Sequence, residues 1–347
     1  MSPRKTEQET AVRHPRETSA LFGHREAEAA LLNAYRSGRI PHAWLIGGAQ
    51  GIGKATLAYR MARFVLAHRN PMLPEVARAE TLGVDPSDHV ARQIAAEAHG
   101  GLLVLERGLN DRGVLRTVIT VDETRETISF FGSTAAVEGW RVCIVDTVDE
   151  LNPNAANALL KVLEEPPQQS LFLLVSHAPA RVLPTILSRC RKLPMRPLAT
   201  ADVIRAAALA ISRETDDPAL TEAAAASEGS VARALTLLGG DALKLQQRTA
   251  AMLANLPKVD PRELHALGDS LGLSDRVALA AFIDSLERWV SERLKVDGAS
   301  NANLPRLARL AEVWEKIVRA ARDTQDYNLE RKPLVFSVFS MLADATR

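Results

Sequence analysis

The sequence has little of what stabilises small extracellular proteins. Only 2 of its 347 residues are cysteines, Cys143 and Cys190, and they do not form a CxxC pair. A disulfide scaffold is therefore not indicated, and a zinc site of four thiolates cannot form within one chain. Aromatic residues make up only 4% of the chain. Alanine and leucine are abundant instead, which favours helices with aliphatic cores.

The chain also lacks an excess of charge and long apolar runs. It has 43 basic and 42 acidic residues, a formal net charge of +1. Without a global positive field, contact with nucleic acid requires a local basic patch or a partner subunit. No stretch approaches the roughly 18 apolar residues of a membrane span, and residues 1–18 lack the apolar core of a signal peptide. We therefore expect a cytoplasmic protein with no membrane contact.

Strand and helix patterns alternate in the first part of the chain. Apolar runs of the kind buried in parallel sheets lie at 43–46, 141–145 and 171–175, and helices are predicted at 54–67 and 154–165. This order predicts an α/β domain, a parallel sheet covered by helices. Residues 70–115 are not readable in this way, and the pattern after residue 200 is helical.

A glycine-rich turn follows the first apolar run. Gly48, Gly51, Gly53 and Lys54 fit the G-x-x-x-x-G-K half of a phosphate-binding loop. Such glycines let backbone N–H groups turn toward phosphate oxygens, and the lysine adds a positive charge. The pattern predicts a site for ATP or ADP, and a glycine-rich turn without a ligand is the alternative.

The metal-binding half of this motif is altered. The residue after the lysine should carry a hydroxyl that holds Mg²⁺, but it is Ala55, and Thr56 comes one position later. One position on a helix rotates a side chain by about 100°, so Thr56 is a poor substitute. We expect weak nucleotide binding and poor retention of Mg²⁺.

A second candidate carboxylate ends the 141–145 run. In P-loop ATPases an Asp at the position of Asp146 reaches the metal from the strand beside the phosphate loop. The water-activating glutamate expected next is replaced by Thr147, whose hydroxyl cannot act as a general base near neutral pH. The alternative is that Asp146 only caps a loop.

Three segments, taken together, form a specific sequence pattern. Residues 37–45 with the phosphate loop, Asn157 to Pro167, and Leu183 to Cys190 resemble, in order and spacing, motifs of bacterial clamp-loader subunits of the AAA+ type. The resemblance covers about residues 20–240. It implies an AAA+ parallel-sheet domain, a helical lid and an all-α collar. The implied boundaries are a flexible tail at 1–18, an AAA+ nucleotide-binding-like domain at 19–200, a lid at 201–245 and an oligomerisation collar at 246–347.

The resemblance also assigns roles to single residues. Arg189, within Ser-Arg-Cys, corresponds to an arginine finger that reaches ATP on a neighbouring subunit, and the alternative is a surface ion pair. Ser176 corresponds to the first sensor near the outer phosphate, and the alternative is a loop hydroxyl. The place of the second-sensor arginine falls on Ala232, with Arg233 adjacent.

Three positions depart from the motifs of an active ATPase, whereas the arginine at the finger position, Arg189, is kept. Ala55, Thr147 and Ala232 resemble the pattern of the delta prime type of subunit, a stator whose own ATPase activity is absent or very weak. The implied setting is the DNA polymerase III holoenzyme. The implied partners are gamma/tau motor and delta subunits in a pentameric ring, the sliding clamp, and primed DNA contacted through the complex.

Two other functions stay open from the sequence. The first is an active AAA+ motor subunit of the same loader. The second is a P-loop nucleotide kinase, which needs a basic lid, whereas the corresponding segment here is mostly Ala and Leu. Clamp-loader relatives often carry four zinc-binding cysteines between the nucleotide motifs. This chain has none there, so we expect no zinc.

Overall fold

The computed structural model describes residues 12–108, 116, 118–132, 139–238, 241–272, 276–297, 304–327 and 329–346. The chain divides into two compact units, Met1–Ala232 and Arg233–Arg347. The first unit contains a five-stranded sheet whose strands all pair in parallel in the order β2-β3-β4-β1-β5. The strands are β1 (Ala43–Gly47), β2 (Leu102–Leu105), β3 (Arg141–Asp146), β4 (Ser170–Ser176) and β5 (Arg191–Pro194). The predicted α/β class is confirmed.

Helices cover both faces of the sheet. The helices of the first unit, with α10 containing the boundary between the units, are α1 (Arg25–Arg36), α2 (Lys54–Ala67), α3 (Pro74–Arg78), α4 (His89–Ala95), α5 (Val121–Gly132), α6 (Pro153–Glu164), α7 (Pro184–Leu187), α8 (Thr200–Ile211), α9 (Pro218–Ala226) and α10 (Val231–Leu237). Successive side chains of a strand point to opposite faces. Trp44 and Ile46 therefore join the cluster with α1 and α2, and Ala43 and Leu45 join the cluster with α6.

The second unit is helical throughout its described part. Its helices are α11 (Asp241–Ala254), α12 (Pro261–Ser270), α13 (Arg276–Asp297), α14 (Leu304–Asp326) and α15 (Arg331–Thr346). Helix α11 packs on α13, and α15 packs on both α12 and α14. Pro305 lies in the first turn of α14, where proline's missing N–H costs nothing. Among the described helices, none combines the length and apolar character needed to span a bilayer.

The two edge strands of the sheet were not predicted from the sequence. Strand β5 lies at the sheet edge, and only Leu193 of its four residues is buried, so its sequence carries no apolar run. Strand β2 lies at the other edge, where only Leu105 is buried; its four residues are all apolar, but they fall in the segment 70–115, in which the sequence shows no clear pattern. Around residue 119 the structure has only an isolated parallel bridge between Ile119 and Leu151. Residues 109–115, at the end of the segment 70–115 in which the sequence shows no clear pattern, lie outside the described residues.

The predicted tail differs from the structure in its second half. Residues 1–11 lie outside the described residues, but residues 15–17 form a 3-10 helix that packs on α2. The guanidinium of Arg63, which is 4% exposed, donates to the carbonyl oxygens of Pro15 and Thr18 at 3.2 and 2.7 Å. Residues 15–18 are therefore held by hydrogen bonds that a reading of their polar sequence cannot reveal.

A buried ion pair holds the segment between the two nucleotide motifs. Glu28 of α1 accepts from Arg60 of α2 at 2.6 Å and from the backbone N–H of Leu82 at 3.0 Å. Leu82 is 1% exposed, and Val76 and Ile94 of the same segment also belong to the core. This segment is thus part of the α/β domain, held by apolar packing and one carboxylate.

Candidate functional site

The phosphate loop connects β1 to α2 and has the backbone geometry that its glycines permit. Gly51 and Gly53 have φ values of 75° and 100°, in the left-handed region that disfavours side chains. A Cβ at Gly48 would lie 2.9 Å from Cδ1 of Ile52 and would also meet the carbonyl oxygen of Met195. The predicted loop glycines therefore lie together at the carboxyl end of β1, where open α/β sheets bind ligands.

Lys54 is the first residue of α2 and is turned back onto the loop. Its side chain is buried, and its ammonium donates to the carbonyl oxygens of Gly48 (2.7 Å) and Ala49. Burial lowers the pKa of Lys54 to about 8, although the charges of Asp146 and Asp149 act in the opposite direction. The cation that the motif assigns to phosphate is thus bonded to the chain's own backbone.

The start of α10 lies directly on the loop. The backbone N–H groups of Val231 and Ala232 donate to the carbonyl oxygen of Gly51 at 2.8 and 3.4 Å. A Cβ at Gly51 would lie 2.6 Å from the Cβ of Ala232. Ala232, the position that the resemblance assigns to the second sensor, therefore lies against the loop, and its side chain is a methyl group. In the second unit, Arg233 pairs with Asp284 of α13 at 2.8 Å.

Asp146 ends β3 among other acidic groups. Burial, followed by the charges of Glu106 and Glu150, raises the pKa of Asp146 to about 6. Glu150 pairs with Arg107 at 2.9 Å. Glu106 was not predicted because it directly follows β2 within the segment 70–115, in which the sequence shows no clear pattern. The structure thus places an acidic group at the end of β2 beside the predicted carboxylate.

Ser176 ends β4 and is completely buried. Its hydroxyl donates to Oδ1 of Asp149 at 2.7 Å, and Oδ2 of the same carboxylate accepts the backbone N–H groups of His177 and Ala178. Asp149 was not predicted, and the run of acidic residues after Asp146 was the available signal. Burial and the neighbouring Lys54 charge lower the pKa of His177 to about 4, so its imidazole is neutral at pH 7.

The donor set at this site does not fit a P-loop magnesium centre. Ala55 brings no hydroxyl, and Thr56 is half-buried one position further along α2. Asp146 would supply a carboxylate, which Mg²⁺ prefers together with phosphate oxygens, but it has no hydroxyl partner at the residue after Lys54. Within the described ranges, no group of three His, Cys, Asp or Glu side chains is arranged to hold a metal ion.

Arg189 lies between α7 and β5. Its guanidinium pairs with Glu164 through Nη2 at 2.6 Å and donates through Nη1 to the carbonyl oxygen of Thr185 at 2.9 Å. The Arg189 side chain is 33% exposed and that of Glu164 is 50% exposed. The surface ion pair considered from the sequence is therefore present, and it leaves the guanidinium at the protein surface.

Comparison with known proteins points to one family. A family model described as "DNA polymerase III, delta subunit" matches residues 23–199, just over half of the chain. The match begins before α1 and ends before α8, so it contains the whole sheet, the phosphate loop, Asp146, Ser176 and Arg189.

Individual relatives agree with this family. DNA polymerase III subunit delta' of Pseudomonas aeruginosa is 38% identical over 149 residues, which are 43% of this chain and 41% of that one. The Escherichia coli delta' subunit is 31% identical over 65% of this chain and 62% of its own length. The tau/gamma subunit of Haemophilus influenzae is 27% identical over 64% of this chain and 30% of its own. The chain thus spans less than two thirds of these relatives.

Among solved structures, a gamma subunit-related protein of DNA polymerase III from Thermotoga maritima is similar. It covers 91% of this chain and 99% of its own, at 17% identity and a TM-score of 0.46. A RuvB variant from the same organism covers 81% of this chain and 80% of its own, at 16% identity and a TM-score of 0.41.

Proposed function

Because the chain belongs to the DNA polymerase III delta subunit family, whose model matches residues 23–199, we propose that it is a clamp-loader subunit of the delta prime type. In this role it acts as a stator. It supplies Arg189 to an ATP site on a neighbouring motor subunit and does not turn over ATP itself. The observation that carries the proposal is the contrast between the residues Ala55, Thr147 and Ala232 at the nucleotide motifs and an arginine at the protein surface.

The proposal that the chain does not turn over ATP rests on three residues, each of which lacks a group that an active ATPase needs. Ala55 cannot hold Mg²⁺, Thr147 cannot activate water, and Ala232 places a methyl group where a cation would contact phosphate. We infer that ATP or ADP binds weakly and is not hydrolysed.

Two properties of Arg189 support the finger role, namely the exposure of its side chain and the small energy of its ion pair with Glu164. An exposed ion pair is typically worth about 0–1 kcal/mol, so the pair between Arg189 and Glu164 opposes small adjustments of the guanidinium toward a phosphate only weakly. A guanidinium is permanently charged and offers planar donors that match phosphate. Such a group stabilises the charge on a phosphoryl group during transfer.

The proposal also names partners and a location. Gamma/tau motor subunits and a delta subunit would complete a pentameric ring in the cytoplasm, and this ring would load the sliding clamp onto primed DNA. With a net charge of +1, the chain would meet DNA mainly as part of the complex. Of the open alternatives, an active motor subunit is disfavoured, because Ala55 and Thr147 lack the side chains that ATP turnover needs.

The experiment is reconstitution of the complete loader with wild-type chain or with Arg189→Ala, followed by measurement of DNA-stimulated ATP turnover. We expect a loss of at least about tenfold at the site that Arg189 completes, since arginine fingers contribute large factors to turnover. Arg213→Ala is the matched control, because Arg213 also forms an exposed ion pair, with Asp217 at 3.2 Å. Equal turnover with Arg189→Ala and wild type would refute the finger role.

A further inference from the structure

The carboxylate of Glu164 contacts the guanidinium of Arg189 from a different structural element. Glu164 is the last residue of α6, and Arg189 follows α7 along the chain. Oε1 of Glu164 lies 2.6 Å from Nη2 of Arg189. This is a short, charge-assisted hydrogen bond, a kind about twice as strong as a neutral one.

The backbone at both ends of this contact is fixed by the core. Leu163, directly before Glu164, is 1% exposed, and Ile186 of α7 is also 1% exposed. Both belong to one apolar cluster, and Cys190 packs against it beside Arg189. Because neighbouring residues are buried on each side, the fold sets the separation of the two backbone segments from which these side chains extend.

The bonds orient the guanidinium without using all of its donors. Nη1 donates to the carbonyl oxygen of Thr185 at 2.9 Å and approaches Oγ of Ser188 at 3.4 Å. Nη2 donates to Glu164. A guanidinium has five N–H donors, so these three contacts leave donors for an anionic group outside the chain.

We propose that Glu164 is a positioning residue for Arg189: its carboxylate holds the guanidinium in the direction in which it meets a neighbouring subunit's triphosphate. This inference rests on the proposed function, because it gives Glu164 a role only through the finger. A long arginine side chain loses rotamer entropy when it is immobilised. Prior orientation by Glu164 removes part of that cost before the subunits meet.

The opposite role would be a parking contact, in which Glu164 competes with the triphosphate and restrains turnover. The two roles predict opposite signs for removal of the carboxylate. Positioning predicts slower turnover by the assembled loader, whereas parking predicts faster turnover. The spare donors on Arg189 favour positioning, since the carboxylate and a phosphate can bind the same guanidinium together.

The test is a double-mutant cycle in the reconstituted loader, with DNA-stimulated ATP turnover as the readout. We expect Glu164→Ala to lower turnover about two- to fivefold, the factor that an exposed ion pair corresponds to. Glu164→Gln, whose amide oxygen can still accept the hydrogen bond, should recover part of this loss. Glu165→Ala removes the adjacent exposed carboxylate and should leave turnover unchanged.

The Arg189→Ala background separates positioning from general stability. In that background Glu164→Ala should have no further effect, because the finger it orients is gone. An equal loss in both backgrounds, faster turnover in either Glu164 variant, or no change with Glu164→Ala while Arg189→Ala is impaired would each overturn the inference. If Arg189→Ala itself had no effect, the proposed function would fail instead.

Discussion

The backbone N–H of Val231 donates to the carbonyl oxygen of Gly51 at 2.8 Å, which ties the start of α10 to the middle of the phosphate loop. Only a residue without a Cβ fits this arrangement, because Gly51 has a positive φ and Ala232 lies against it. The loop is thus a packing surface as well as a candidate anion site.

The first prediction concerns Gly51 itself. We expect Gly51→Ala to lower the free energy of unfolding by about 1–3 kcal/mol, since the alanine must adopt a strained φ and displace Ser230 and Ala232. Urea denaturation of the full chain measures this. Gly132→Ala is the control, because a Cβ there meets nothing within 4 Å. Equal stabilities of the two variants would contradict the packing argument.

The second prediction concerns turnover by the isolated chain. If the proposed function holds, the purified protein should release no phosphate from ATP above background, and Lys54→Ala should not change this, because Ala55 and Thr147 lack the side chains that the proposal requires for Mg²⁺ binding and water activation. Steady-state phosphate release, with an isolated motor subunit as positive control, checks both points. Turnover that Lys54→Ala abolishes would favour the active-motor alternative.

The third prediction concerns pH. The pKa of Asp146 is raised from 3.8 to about 6 in the folded chain. Between these values the folded state binds more protons than the unfolded state, so this group's contribution to stability falls as pH rises from about 4 to 6. His177, whose pKa is lowered from 6.5 to about 4, acts in the opposite direction over the same range. Wild type alone therefore cannot isolate either group.

Asp146→Asn removes one of these two titrations. Relative to wild type, this variant should become more stable as pH rises from 4 to 6.5, by on the order of 2 kcal/mol. Denaturant unfolding of both proteins at pH 4, 5, 6 and 7 gives the difference. A difference that is constant with pH would show that Asp146 ionises normally in the folded chain.

The fourth prediction concerns the buried pair of Glu28 and Arg60. Glu28→Gln leaves the 7% exposed guanidinium without its carboxylate, and loss of one partner of a buried pair typically costs about 3–5 kcal/mol. We expect a loss of this size in denaturant unfolding, with faster proteolysis near Leu82. Asp122→Asn, which breaks an exposed pair with Arg125, should stay within about 0.5 kcal/mol of wild type.

Some elements were predictable because their signal is local. Strands β1, β3 and β4 lie inside the sheet and are buried almost throughout, so each is a run of apolar residues. The phosphate loop and α2 were predictable because glycine spacing and helix periodicity act over a few residues. Strand β5 was not, since an edge strand with one buried residue has no such run.

The remaining site residues depend on contacts between distant parts of the chain. Asp149 meets Ser176, and Glu164 meets Arg189, across 27 and 25 positions of sequence. The sequence alone does not show which hydroxyl or guanidinium a given carboxylate will contact. That choice follows from which ends of strands and helices the fold places side by side.

The sequence by itself determined the α/β class, the phosphate loop and the substitutions Ala55, Thr147 and Ala232, because each depends on residue type or short spacing. Only the tertiary structure decided that Lys54 bonds to its own loop, that Ala232 packs on Gly51, and that Glu164 holds Arg189. Hydrogen bonds and ion pairs form only within about 3–4 Å, and only the folded chain brings these groups that close.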